Sequence, residues 1–248
     1  MAKANSLRLS TRVWLVTVDP LVLMTDVDQA TDRVLSTAEQ LDGVSGRSLL
    51  PGWTRGHVLT HLARHADGFT NLLTWARTGV ETPAYASPQA RADGIEAGAG
   101  RPLATQIDDL RAAHERMADA AAAMSGEAWT FFIPSRGQTA ATLPWARLRE
   151  LEVHHVDLAA GYTPEDWPDA FALRLLREIV GGAGPDAPAV QLRPFGIEHP
   201  LSIGAATATT PVVGGPTRAI AAWLAGRGDT AQLTVAPDGE FPTPAPWM

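Results

Sequence analysis

The chain has 248 residues, 45% of them hydrophobic, a formal net charge of −7 and no cysteine. That length holds one large domain or two ordinary ones around a real core. The acidic balance offers no footprint for nucleic acid, and the missing thiols exclude a disulfide scaffold, a thiolate metal site and a protein-borne cysteine nucleophile.

At the N-terminus Lys3, Arg8 and Arg12 surround or precede a short apolar run from Val13 to Val18, which Asp19-Pro20 interrupts. The run is short for a signal sequence and lacks a clear small-residue cleavage site, so residues 1–23 read as a disordered or misannotated leader. Met24-Thr25-Asp26 then looks like a helix start. No segment approaches the roughly 20 apolar residues of a membrane span. Val27, Ala30, Val34, Leu35, Ala38 and Leu41 recur at helical spacing and predict a first helix over 25–41. A second follows Pro51-Gly52-Trp53, with Thr54 as its cap and Thr78-Gly79 as its end. Residues 81–101 read as one long loop, of a length that is usually functional or mobile. A third helix is expected over 103–124, and a fourth from Leu143-Pro144 to Gly161. Beyond Gly161 the pattern predicts a helix over 165–180, β-like runs at 189–193, 201–203, 210–213 and 232–236, and a helix over 217–225. The expected class is α+β: a four-helix bundle over 24–162, then a smaller α/β domain over 163–248.

The chemistry concentrates in Arg149-Glu150-Leu151-Glu152-Val153-His154-His155-Val156-Asp157. Glu150 and His154 stand four apart, which on a helix stacks a carboxylate and an imidazole on one face. A catalytic zinc takes three protein ligands and leaves a position open. The second helix offers His57, His61 and His65 as sources of the third. Periodicity places His65 nearest the centre of the apolar stripe, and spacing alone does not choose between His61 and His65. His155 lies about 100° round from His154 and reads as a packing or surface histidine. Asp157, one turn on, is either a carboxylate that orients a ligand imidazole or a solvated helix-end charge. His114 and His199 have no partner pattern and read as structural. Arg147 and Arg149 flank the pair, and Arg227 stands between Gly226 and Gly228, where its fork could grip a carboxylate.

Taken together, Pro51-Gly52-Trp53-Thr54-Arg55-Gly56-His57 with His61, the stretches 71–79 and 81–91, Arg149-Glu150 with His154, Val156-Asp157-Leu158, and Ala225-Gly226-Arg227-Gly228 resemble the mycothiol-dependent maleylpyruvate isomerases. The resemblance implies a DinB-like metal-binding bundle followed by a sterol-carrier-like α/β domain. It also implies a zinc ion on His61, Glu150 and His154, a catalytic role for Arg227, and mycothiol as cofactor. The reaction would be cis–trans isomerisation of maleylpyruvate to fumarylpyruvate by reversible thiolate addition, in the cytoplasm, as a step of aromatic catabolism. A thiol brought from outside suits a chain without cysteine. The cationic bias also agrees: Lys3 is the single lysine among 20 lysines and arginines, as in a high-GC actinobacterial genome. Expected partners are a small-molecule substrate and the thiol, with neither nucleic acid nor membrane. Two other functions suit the same residues: a mycothiol S-transferase that releases its adduct, and a non-catalytic metal- or lipid-binding module.

Overall fold

A computed structural model describes residues 19–184 and 186–247 of the chain. The first 18 residues of the expected leader lie outside this range. Residues 20–23 belong to the first helix, α1 (Pro20–Ala38), which therefore starts before the expected position at Thr25. The reason is local. The Asp19 carboxylate accepts from the Leu21 amide at 2.9 Å, and Pro20 fills the first turn, where a missing N–H costs nothing. The dipeptide that looked like a break is the helix start.

Helix α2 (Arg55–Thr78) follows the prediction at both ends. Thr54 caps it, and Gly79 closes it at φ +72°, a left-handed conformation that a Cβ would strain. The long loop is corrected: it contains α3 (Pro88–Ala99), with Ser87 accepting from the Ala90 amide at 3.0 Å and Pro88 in the first turn. Only Ile95, Gly98 and Ala99 of α3 are buried, so it carries almost no apolar stripe to read. It docks by close backbone approach instead; a Cβ at Gly56 would stand 2.0 Å from the Ala99 carbonyl oxygen. Helices α4 (Leu103–Ala122) and α6 (Leu143–Asp157) complete the bundle. Helix α1 packs on α4 and α6, while α2 packs on α3, α4 and α6. Before α6 the chain forms the short α5 (Gly126–Thr130) and an antiparallel hairpin of β1 (Phe132–Ile133) and β2 (Gln138–Thr139), none of them predicted.

The remainder is α/β, so the α+β class holds. Helix α7 (Asp169–Gly182) starts later than expected because Thr163 caps a separate 3-10 turn at Pro164–Asp166. Strands β3 (Val190–Pro194), β4 (Leu201–Ile203), β5 (Val212–Gly215) and β6 (Thr234–Ala236) lie in the order β4-β3-β5-β6. The β3–β5 pair is parallel and its neighbours are antiparallel. Helix α8 (Thr217–Leu224) packs on α7 and on β3 and β5. Buried residues from the helical and α/β parts join one continuous apolar core. That shared core fixes the position of the residues after α8 relative to the end of α6.

Candidate metal centre

Three side chains from two helices converge. His61 from α2 places Nε2 2.9 Å from Glu150 Oε2 of α6, and His154 Nε2 lies 3.4 Å from the same oxygen. One ligand atom from each of the three lies within 4.8 Å of the others. The two imidazoles meet edge to face, with centroids 4.7 Å apart and planes at 89°. His61 is 2% exposed, and Trp53 covers its other edge at 5.7 Å.

The helices supply this geometry for different reasons. The first turn of α2 is fixed by a reciprocal cap: Thr54 Oγ1 accepts from the His57 amide, and the Thr54 amide donates to His57 Nδ1 at 3.1 Å. His57 is thereby committed, with Nε2 on Glu96 at 3.1 Å, and His61 one turn later faces α6. On α6 the four-residue spacing works as predicted, and Asp157 adds a third layer. Asp157 is 1% exposed and accepts from His154 Nδ1 at 2.8 Å. That bond engages Nδ1 and leaves Nε2 as the ring nitrogen turned toward Glu150. Of the two alternatives for Asp157, the structure shows the buried, orienting one.

Arg227 reaches the same carboxylate from the α/β part. Its Nε donates to Asp157 Oδ1 at 3.2 Å and its Nη2 to Oδ2 at 3.0 Å, while Nη1 donates to the Ala225 carbonyl at 2.9 Å. The expected arginine therefore stands at the centre, gripping Asp157. A chain of contacts runs from Arg227 through Asp157 and His154 to Glu150.

The electrostatics separate the members. Against the cost of burial, His65, His154 and His61 hold the Glu150 carboxyl well below the usual carboxylate range. Burial pushes His61 down to about 4, with Glu150 opposing, so the ring is neutral near pH 7. Burial also opposes a proton on His154, but the hydrogen bonds to Asp157 and Glu150 leave it above the ordinary imidazole value. Asp157, although buried, is held below its usual value by His154 and Arg227.

His65, the residue periodicity favours, is buried but differently engaged. The wholly buried Arg147 donates from Nη1 to the Leu62 carbonyl at 2.8 Å and to His65 Nδ1 at 3.3 Å. An arginine also faces Nδ1 of His61, so direction separates the two rings: His61 Nε2 meets Glu150 at 2.9 Å, whereas His65 packs on Phe69 at 4.1 Å. Arg149 pairs with Glu178 of α7. Sequence reasoning gave no role to Arg91 of α3, whose Nη2 lies 3.1 Å from His61 Nδ1. Its only signal was its place in the 81–91 stretch. His155 stacks on Tyr162 at 3.7 Å and bonds Thr37 at 2.8 Å, a packing residue as read. His114 does have partners, Asp28 at 3.1 Å and Thr31 at 3.4 Å, both on α1 and invisible to local spacing.

The donor set is two imidazole nitrogens and one carboxylate oxygen, converging between α2 and α6 with Nδ1 of one ring already engaged by Asp157. It fits a divalent ion of zinc type, held by three protein ligands. The family described as mycothiol maleylpyruvate isomerase N-terminal domain matches residues 27–159, a stretch that contains all three ligand candidates and Asp157. The chain belongs to the mycothiol maleylpyruvate isomerase family. Among solved structures, the crystal structure of a mycothiol-dependent maleylpyruvate isomerase is 30% identical, with a TM-score of 0.82, covering 93% of this chain and 98% of the other. A histidine-to-alanine variant of such an isomerase matches at 29% identity with the same TM-score and coverage. No curated protein sequence matches significantly. In this member of the mycothiol maleylpyruvate isomerase family, the three ligand candidates lie between α2 and α6. No helix among the described residues is long and apolar enough to cross a membrane.

Proposed function

We propose that the chain is a zinc- and mycothiol-dependent isomerase that converts maleylpyruvate to fumarylpyruvate, with His61, Glu150 and His154 holding the metal. The observation that carries this reading is the convergence of those three side chains, one of them oriented by Asp157, in a chain of this family. When bound, the ion lowers the pKa of a thiol and the thiol supplies reversible addition to the conjugated double bond, which frees the carbon–carbon bond to rotate. The chain contributes the surroundings. Glu150 remains ionised and brings one negative charge to the ion. His61 is neutral at neutral pH, and Asp157 engages Nδ1 of His154, so that Nε2 is the nitrogen His154 would turn to a cation on giving up its proton. Arg227, one residue's length from His154 through Asp157, is the cation at hand for a substrate carboxylate. On this reading residues 24–162 hold the metal and residues 163–248 supply the arginine.

The test is incubation of the protein with zinc, mycothiol and maleylpyruvate. Fumarylpyruvate should accumulate only with the thiol present, and the thiol should be recovered. No thiol-dependent product overturns the reading. Consumption of the thiol into a stable adduct replaces it with a transferase on the same centre.

A further inference from the structure

The guanidinium groups around the centre are nearly all engaged. Arg227 grips Asp157, Arg149 pairs with Glu178, Arg147 donates to Leu62 and His65, and Arg91 faces His61. Arg136 is different. It sits in the turn of the β1–β2 hairpin, half-buried, and its side chain makes no hydrogen bond or ion pair among the described residues. Its Nε is buried without a partner, whereas its Nη groups keep access to solvent. The guanidinium lies over the Phe69 ring, 5.1 Å from the centroid. Phe69 in turn touches His65 at 4.1 Å, and His65 touches His61 at 5.8 Å. Three ring contacts thus lead from Arg136 to the candidate metal ligand.

A half-buried cation without a counterion is costly to keep, and the ring beneath it offsets only part of that cost. Burial, then Arg149, push the Arg136 guanidinium below its ordinary value, while Glu150 opposes them, so its charge is felt at the centre. A planar fork with open N–H groups matches a carboxylate in two-point geometry.

We propose that Arg136 is a second anion-gripping residue of this centre, holding a carboxylate of the substrate against the wall made by Phe69 and His65. The inference rests on the functional reading above for the identity of the anion, and on the geometry of Arg136 for its place. Arg227 spends three of its five N–H groups on Asp157 and Ala225 and keeps two; with Arg136 near the Glu150 end of α6, a substrate bearing a carboxylate at each end would meet a cation at each. A thiol without a carboxylate would not depend on Arg136.

The experiment uses the zinc-loaded full chain and maleate as the dicarboxylate probe. Maleate should bind the Arg136→Gln variant about 10- to 100-fold more weakly than the wild type, the loss typical of one charge-assisted contact, and Arg136→Lys should recover part of it. The KM for maleylpyruvate should rise by a similar factor while the KM for mycothiol stays put. Because Arg136→Gln could disturb the hairpin, a second measurement uses the wild type alone: maleate should shield Arg136 from phenylglyoxal, read by peptide mass spectrometry. Equal maleate affinity in wild type and folded variant, no maleate binding to the wild type, or an unshielded Arg136 each overturns the proposal. If maleate binding behaves as expected but no isomerisation occurs, the functional reading fails and the anion site stands. If isomerisation occurs and maleate ignores Arg136, the anion site alone fails.

Discussion

Helix α6 buries ionisable groups on two faces, and the faces differ in kind. Toward α1, Glu152 accepts from Arg33 and from Tyr162, each at 2.5 Å, and His155 is closed by Thr37 and Tyr162. Every charge there has its complement. Toward α2, two imidazole nitrogens meet one oxygen of Glu150, and once their shared protons leave, three lone pairs face one point. The two glutamates, two residues apart, also move in opposite directions: burial leads and raises Glu152, while the surrounding imidazoles hold Glu150 down. Buried polar groups that satisfy one another build structure. Lone-pair donors that crowd together ask for a cation, and this contrast marks the centre more clearly than burial does.

The contrast can be broken experimentally, starting where the effect is largest. Replacing His61, Glu150 or His154 by Ala should abolish stoichiometric metal and lower isomerisation by more than the roughly 10- to 100-fold seen for supporting residues, read by metal analysis and product assay. Retention of full metal by any of the three would put the centre elsewhere. Glu152→Ala should cost about 2–4 kcal/mol in urea unfolding, because the Tyr162 hydroxyl and the partly exposed Arg33 both lose their charged acceptor, yet leave metal content at one equivalent. Loss of metal in a folded Glu152 variant would mean that the two faces are not distinct.

A smaller effect comes from pH. Burial pushes His155 from 6.5 down to about 4, so the unfolded chain binds the proton more readily than the folded one. Stability from this group is complete above about pH 6.5 and drains away as the pH falls toward 4, by about 3 kcal/mol. His155→Gln should flatten that part of the stability curve, and unchanged curvature would reject a buried neutral ring. Smallest is Asp157→Asn. It keeps the shape but unsettles the His154 tautomer, and metal affinity should fall about 10- to 100-fold in a competition titration.

Much of this was legible in the sequence where one helix carries the information. The Thr54 cap, the Gly79 stop and the Glu150–His154 spacing are local facts, and the structure repeats them. What could not be read depends on neighbours distant in sequence. Periodicity reports burial, which does not choose between His61 and His65; Glu150, 89 residues from His61, distinguishes them by meeting its Nε2 at 2.9 Å. Asp157 reads equally as an orienting carboxylate or a solvated helix end, and Arg227, 70 residues away, closes over it. Helix α3 escaped because it docks through glycine and alanine rather than through an apolar stripe. The start of α1 was misjudged for a different reason: Asp19-Pro20 is ambiguous between a stop and a cap, and only the Leu21 amide decides.

The carboxylate of Asp157 joins an imidazole of the bundle to a guanidinium of the α/β part. One proton position on His154 therefore answers to how the last third of the chain is seated. Thermodynamic linkage makes any such coupling mutual: a cation on His154 would shift the seating of Arg227 by the same free energy with which Arg227 shifts the cation. The helical part cut free would carry the same three ligand candidates without the guanidinium on Asp157, and its affinity for metal beside that of the whole chain measures the coupling.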